Sequence, residues 1–123
     1  MHILLADDSP DIRTIFQFAF GLQGHETRLA DNGQEAVQAF QEVAASFDVI
    51  VLDIEMPVLD GLGALERIRQ LPQGKDIPII MFTGYNAFLY DQKAKDAGAN
   101  LLVNKPIAPD ELLRLMGWFV GRA

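Results

Sequence analysis

FDVIVLDIEMPVLDG, residues 47–61, reads as a buried strand, a break and the beginning of a helix. Asp48 to Leu52 is an apolar, β-branched run of the length of a strand covered on both faces, and it delivers Asp53 at its far end. Pro57 cannot continue a strand ladder, and Asp60-Gly61 is a turn signal ahead of Leu62, Leu65 and Ile68 at helical spacing. Strand, acid, loop and helix in that order put Asp53 in the crevice beyond the carboxyl ends of parallel strands, where open α/β sheets bind ligands.

The same pattern recurs on both sides of this stretch. Ile3 to Ala6 form a short buried strand ending in Asp7-Asp8, and Ser9 and Pro10 suit the cap and first position of a helix. Its apolar stripe is expected at Ile12, Ile15, Phe16, Ala19 and Leu22, with a stop at Gly24. Thr27 and Leu29 alternate with Glu26 and Arg28 as in a half-exposed edge strand. Asn32 to Glu35 resembles a capping box, opening a helix with Ala36, Val37, Phe40 and Val43 inward. After the helix that follows Gly61, Pro72 to Gly74 make a turn, and Ile77 to Phe82 form a strand ending at Thr83-Gly84. A helix is expected from about Asn86 to Ala97, stopped by Gly98. Leu101 to Asn104 form a last strand, ending at Lys105-Pro106, and a final helix runs from Pro109, with Asp110 and Glu111 at the positive end of its dipole.

A βα unit repeated about five times, with right-handed crossovers, implies an α/β fold: a parallel sheet covered by helices on both faces. At 123 residues the chain reads as one domain, 1–123, with no output domain. Half the residues are apolar, 22% are charged and none is cysteine, which excludes a disulfide framework and a thiolate site and suits a reducing cytoplasm. The amino terminus lacks the basic and apolar regions of a signal peptide, and no apolar run is long enough for a membrane span. A formal charge of −7 without a basic stripe argues against direct nucleic-acid binding.

Four of the five expected strands end in reactive groups: Asp7-Asp8, Asp53, Thr83 and Lys105. A parallel sheet gathers these ends on one edge. Two carboxylates about 4 Å apart repel by roughly 4 kcal/mol at an effective dielectric near 20, so a cation is expected among them. Oxygen ligands without His or Cys favour a hard divalent ion, and a small site favours Mg²⁺. Lys105 adds a compact positive charge and Thr83 a hydroxyl donor. These are the parts that phosphoryl transfer to a carboxylate requires.

Across essentially its whole length the chain resembles the receiver domain of two-component response regulators. The matching pieces are LLADDS, VLDIEMPVLDG, MFTG and VNKP, with AGA ahead of the last. The resemblance implies a doubly wound, flavodoxin-like sheet in the order 2-1-3-4-5 with five helices. It implies that Asp53 accepts a phosphoryl group from a phosphohistidine on a sensor kinase or phosphotransfer protein, catalysing its own phosphorylation and dephosphorylation. It further implies that Asp8 ligates Mg²⁺ directly, Asp7 largely through water and Glu55 through its backbone carbonyl. Lys105 then pairs with the phosphoryl group, Thr83 bonds it in the active form, and Lys105-Pro106 is often cis.

Two positions depart from the family pattern. Leu102 stands where an aromatic usually lies three residues before the lysine, so the usual relay from threonine to aromatic is missing, and Tyr85 is a candidate either for a substitute switch or for a partner contact. Ala108 stands where a capping Ser or Thr is frequent, a change costing about 1 kcal/mol of helix stability. A haloacid-dehalogenase-type phosphatase shares the acid, Thr and Lys groups, but its Asp-x-Asp would need Asp at position 55. The same topology also admits a pseudo-receiver, which binds without being phosphorylated, and a flavin module, although an acidic site without a metal repels phosphate.

His2 and His25 read as surface residues and the methionines as core filler. Leu112, Leu115, Met116 and Phe119 make one inward stripe in the last helix, leaving Leu113, Trp118 and Val120 outside it. Phe88, Leu89 and Tyr90 in succession cannot all face inward. The last two helices and the strand between them are therefore expected to form the face for a downstream protein effector or a homodimer partner.

Overall fold

Each of the five apolar runs becomes a strand of one parallel sheet. The computed structural model describes residues 1–43 and 46–121 and contains β1 (His2–Ala6), α1 (Pro10–Leu22), β2 (Glu26–Ala30), α2 (Gly33–Val43), β3 (Val49–Asp53), α3 (Gly61–Gln70), β4 (Ile79–Thr83), α4 (Asp91–Ala97), β5 (Leu101–Asn104) and α5 (Pro109–Val120). The strand order is β2-β1-β3-β4-β5, all pairs parallel, the doubly wound order expected. The expected inward residue Val43 and the expected domain end, residues 122 and 123, lie outside what is described of side chains and chain.

Alternation along the strands divides the core in two. Leu4, Ala6, Ile50, Leu52, Ile79 and Met81 meet Ala36, Ala39 and Phe40 of α2 and Ala64, Leu65 and Ile68 of α3. Ile3, Leu5, Val49, Val51, Ile80 and Phe82 point the other way, onto Phe16 and Phe20 of α1 and Leu112, Leu113 and Met116 of α5. β3 and β4 are buried at every position, which is why they read as continuous apolar runs rather than alternating ones.

Three expectations need correction. On α1, Ile15 and Leu22 are exposed, Leu22 by 73%, whereas Phe20 is fully buried. Phe16 and Phe20, four residues apart, pack with tilted rings at 5.7 Å, and Phe16 stacks on Phe82 at 6.2 Å, so the two bulky rings set which stripe faces the sheet. The helix expected from Asn86 is broken: Ala87–Leu89 is a 3₁₀ turn and α4 has only seven residues. The Asn86 side chain accepts from Phe88 N–H at 3.0 Å and starts that turn, and Tyr90 packs against the α3-side core where the chain restarts. On α5, Leu113 is buried with Leu112 and Met116, because the helix lies alongside α1, where Gln23 donates to Asp110 at 2.9 Å.

Ser9 caps α1 as the sequence reading expected, and Asp60, read there as a turn residue, caps α3. Ser9 Oγ accepts from Ile12 N–H at 3.3 Å, and Asp60 Oδ1 accepts from Gly63 N–H at 2.8 Å. The box at Asn32 is offset by one: Asn32 Oδ1 accepts from Glu35 N–H, while Glu35 reaches back to Asp31 N–H rather than to Asn32. α4 ends at Gly98 with φ 107°, a conformation that favours glycine.

Candidate functional site

β1, β3, β4 and β5 end side by side, and the groups singled out at their ends do meet. Lys105 Nζ lies 2.8 Å from Asp7 Oδ2 and 3.1 Å from Asp53 Oδ2. Its ammonium also sits 4.6 Å above the ring of Phe82, a fully buried side chain of β4. Oxygens of Asp7, Asp8 and Asp53 all lie within 4.8 Å of one another, with Asp8 exposed and the other two buried. The Lys105-Pro106 peptide is cis, as the resemblance implied.

Each side chain is placed by its own turn. Asp7 Oδ1 accepts from Ser9 N–H at 2.8 Å, and the Arg13 guanidinium donates to the Asp7 carbonyl at 2.7 Å, tying the start of α1 to the acid. Asp53 is held from the other side by α3. Gly61 N–H donates to the Ile54 carbonyl, and a Cβ at Gly61 would come 2.1 Å from the Asp53 carbonyl oxygen, so only glycine permits the approach. In the intervening loop Leu59 N–H donates to the Pro57 carbonyl at 2.7 Å across Val58, whose φ is 69°. A β-branched residue in that region stores backbone strain beside the site.

Burial dominates the electrostatics. Asp53 is 1% exposed, and its pKa is pushed from 3.8 up to about 7, first by burial and then by the negative charge of Asp7; Lys105 and the Glu55 N–H oppose the rise. Burial alone would lower the Lys105 pKa, but its hydrogen bond to Asp7 and the charges of Asp53 and Asp7 carry it above the ordinary lysine value. Apart from Lys105, Asp7 Oδ2 has no partner among the described residues. Three converging acids with one ammonium between them leave negative charge uncompensated, and their all-oxygen donor set fits a hard divalent cation.

Thr83 is fully buried, and its hydroxyl is already engaged: it donates to Glu55 Oε2 at 2.6 Å and accepts from Tyr85 N–H at 3.1 Å. Glu55 Oε1 accepts from Gly84 N–H at 3.2 Å, and Glu55 N–H donates to Asp53 Oδ1 at 3.3 Å. Sequence reasoning placed Glu55 beside the acid for its carbonyl and missed this role of its side chain. It also missed Asn104, which donates to the Tyr85 carbonyl and accepts from Ala87 N–H at 3.2 Å, tying β5 to the loop after β4. The signal for Asn104 was its position at a strand end among the other reactive groups.

The remaining candidates lie away from this centre. Tyr85 is exposed, and Phe88 is 84% exposed in the 3₁₀ turn. Trp118 is exposed on α5, its ring edge-on to Phe119 at 4.9 Å. Leu102 and Tyr90 pack against the core on the α3 side, so Tyr90 presents less of itself than the run Phe88-Leu89-Tyr90 suggested. His25 pairs with the Met1 ammonium at 2.7 Å and His2 stacks on Phe47 at 4.4 Å, both half-buried and outside the site.

The sequence model of the response regulator receiver domain matches residues 3–116. The chain belongs to this family. Receiver domains act in two-component signal transduction, in which aspartyl phosphorylation and magnesium are standard. Among relatives, the receiver domain here is 40% identical over 111 residues to "Probable transcriptional regulator ycf27" of Cyanidium caldarium, covering 90% of this chain but only 43% of that protein. Among solved structures, chemotaxis protein CheY4 of Vibrio cholerae matches with a TM-score of 0.89 and 32% identity over 96% of this chain and 97% of that one. The receiver domain of sensor histidine kinase PA1611 from Pseudomonas aeruginosa PAO1, which has a magnesium ion coordinated in its active site cleft, matches with a TM-score of 0.88 and 30% identity over 98% and 97% of the two chains. Receiver domains thus match this one at the level of the whole sheet and not only at the motifs. Among the described residues no helix is long and apolar enough to cross a membrane.

Proposed function

We propose that this receiver domain is a cytoplasmic signalling switch that accepts a phosphoryl group on Asp53 from the phosphohistidine of a sensor kinase or phosphotransfer protein. The observation that carries the reading is the Lys105 ammonium between the buried carboxylates of Asp7 and Asp53. An Asp53 oxygen attacks phosphorus as the N–P bond breaks; the electron pair stays on the imidazole nitrogen, which takes up a proton. Lys105 stands beside the acceptor to pair with the phosphoryl oxygens, and Thr83 donates its hydroxyl to them in the active form. Asp7, Asp8, Asp53 and the Glu55 backbone carbonyl would hold Mg²⁺, which when bound supplies positive charge against the oxygens of the transferred group. That charge also favours the ionised, nucleophilic form of Asp53, whose pKa of about 7 otherwise leaves it half-protonated at neutral pH.

Output runs through protein contacts rather than nucleic acid. The engaged face is the exposed row of Tyr85, Phe88 and Trp118, with Tyr90 and Leu102 behind it and edge strand β5 between. Tyr85, whose N–H bonds the Thr83 hydroxyl, links the acceptor to that face in place of the absent aromatic at Leu102. Phosphorylation biases an existing equilibrium between two arrangements of this loop.

The test is incubation with Mg²⁺ and acetyl phosphate followed by intact mass. One labile phosphoryl adduct is expected, and none on Asp53→Asn. No adduct would leave a binding scaffold, and multiple turnover of external phosphate esters would indicate a phosphatase. A Trp118→Ala, Phe88→Ala double variant should lose self-association or effector binding; a chain that stays monomeric whether or not phosphorylated, with a double variant that binds its partners normally, would refute the assigned face.

A further inference from the structure

Glu55 lies two residues beyond Asp53 and reaches across to the end of β4. Its two carboxylate oxygens take two neighbouring donors, the Thr83 hydroxyl at 2.6 Å and the Gly84 N–H at 3.2 Å. A short hydroxyl-to-carboxylate bond is charge-assisted and stronger than a neutral one. Convergence of a side-chain and a main-chain donor on one carboxylate is the form of an anion clasp, and here the anion is part of the chain. The clasp is anchored at both ends: Glu55 N–H bonds the Asp53 carboxylate, and Tyr85 N–H bonds the Thr83 oxygen.

We infer that, granted the phosphoacceptor reading of Asp53, Glu55 is an internal competitor for the phosphoryl group, a latch holding the donors that the modified aspartate must capture. The Thr83 hydroxyl has one proton to donate, so it cannot serve the Glu55 carboxylate and a phosphoryl oxygen together. Capture of Thr83 requires Glu55 to swing out, and Glu55 is half-buried at the rim with solvent to receive it. The binding free energy of the phosphoryl group to Thr83 and Gly84 is reduced by what Glu55 already gains there. Glu55 also holds Thr83 and the following loop in one arrangement in the unmodified protein. It is a positioning residue: it acts on the phosphoryl group through Thr83 and Gly84.

The experiment titrates the full chain with beryllofluoride, an analogue of the phosphoryl group, in the presence of Mg²⁺, following the Gly84 and Tyr85 amide signals by NMR. Wild type, Glu55→Ala, Glu55→Gln, Thr83→Val and the Glu55→Ala, Thr83→Val pair are compared, with thermal melts to verify folding. Freeing the clasp is expected to tighten beryllofluoride binding about tenfold in Glu55→Ala, the worth of one charge-assisted bond. Glu55→Gln, which keeps one acceptor oxygen, should fall between the two. In the Thr83→Val background the gain should shrink below about threefold, because the contested hydroxyl is gone. Before any ligand is added, the Gly84 amide proton should shift and exchange faster in Glu55→Ala.

A gain of equal size with and without the Thr83 hydroxyl would reduce Glu55 to a repelling charge and overturn the latch. So would unchanged or weaker binding in Glu55→Ala while wild type binds normally; the phosphoacceptor reading would then stand alone. Failure of every form to bind beryllofluoride, together with no mass adduct on Asp53, would overturn that reading and the latch with it.

Discussion

Lys105 reaches Asp53 from the far edge of the sheet: its ammonium lies 3.1 Å from Asp53 Oδ2 and 2.8 Å from Asp7 Oδ2, over the face of Phe82. One lysine therefore compensates two buried acids. Replacing it by alanine leaves both without a counter-charge. Lys105→Ala should raise the Asp53 pKa beyond its present value of about 7 and cost about 3 kcal/mol of stability at pH 8. Urea denaturation and a carbon-detected carboxyl titration measure the two effects. A loss under about 0.5 kcal/mol would place the pair among surface ion pairs of little consequence.

Asp53 works against folding. Its folded pKa is raised from 3.8 to about 7, so between those values the folded chain holds a proton that the unfolded chain has released. Stability from this group is therefore highest below about pH 3.8, falls as pH rises and levels off above about pH 7. Asp53→Asn removes the penalty. The metal-free variant should be more stable than wild type at pH 8, by at most about 4 kcal/mol, and the advantage should vanish near pH 4. Parallel urea titrations at the two pH values check it. An advantage that is independent of pH would mean that Asp53 is ionised throughout.

Divalent cation should stabilise the fold through the three acids. Mg²⁺ at a hundredfold excess over its dissociation constant contributes about 2.7 kcal/mol. A rise in melting temperature with Mg²⁺ concentration is expected, and Asp8→Asn, at the exposed member of the cluster, should abolish most of it. No change at millimolar Mg²⁺ would contradict the assignment of the acids.

Val58 is strained for position rather than packing. It is 76% exposed with φ 69°, bridged by the bond from Leu59 N–H to the Pro57 carbonyl. Glycine removes strain of about 1–3 kcal/mol and adds an entropic cost of roughly 0.5–1 kcal/mol. Val58→Gly should raise stability by about 1 kcal/mol in chemical denaturation. A loss of stability would show that the turn is not under strain.

The βα alternation, the strand ends and the Ser9 cap were legible in the chain, because parallel strands buried on both faces leave unmistakable apolar runs. Placing Asp7, Asp53, Thr83 and Lys105 on one edge then follows from topology alone. The facing of α1 was less legible. Ile15 and Leu22 satisfy a helical spacing with Ile12 and Phe16 as well as Phe20 does, and the choice belongs to the rings that fill the space under β4. The break before α4 was hidden for a similar reason: Asn86 and Asp91 can each begin a helical turn, and the docking of Tyr90 separates them.

At the site the division is sharper. The order of residues along the chain specifies which groups arrive at the rim, since the carboxyl ends of parallel strands share one edge wherever each strand pairs. It does not specify how those groups pair once there. Glu55 is two residues from Asp53 in sequence and twenty-eight from Thr83, yet its carboxylate goes to Thr83. Hydrogen-bond partners across the rim are settled by distances of a few tenths of an ångström between separate strands, and these exist only after the sheet has closed.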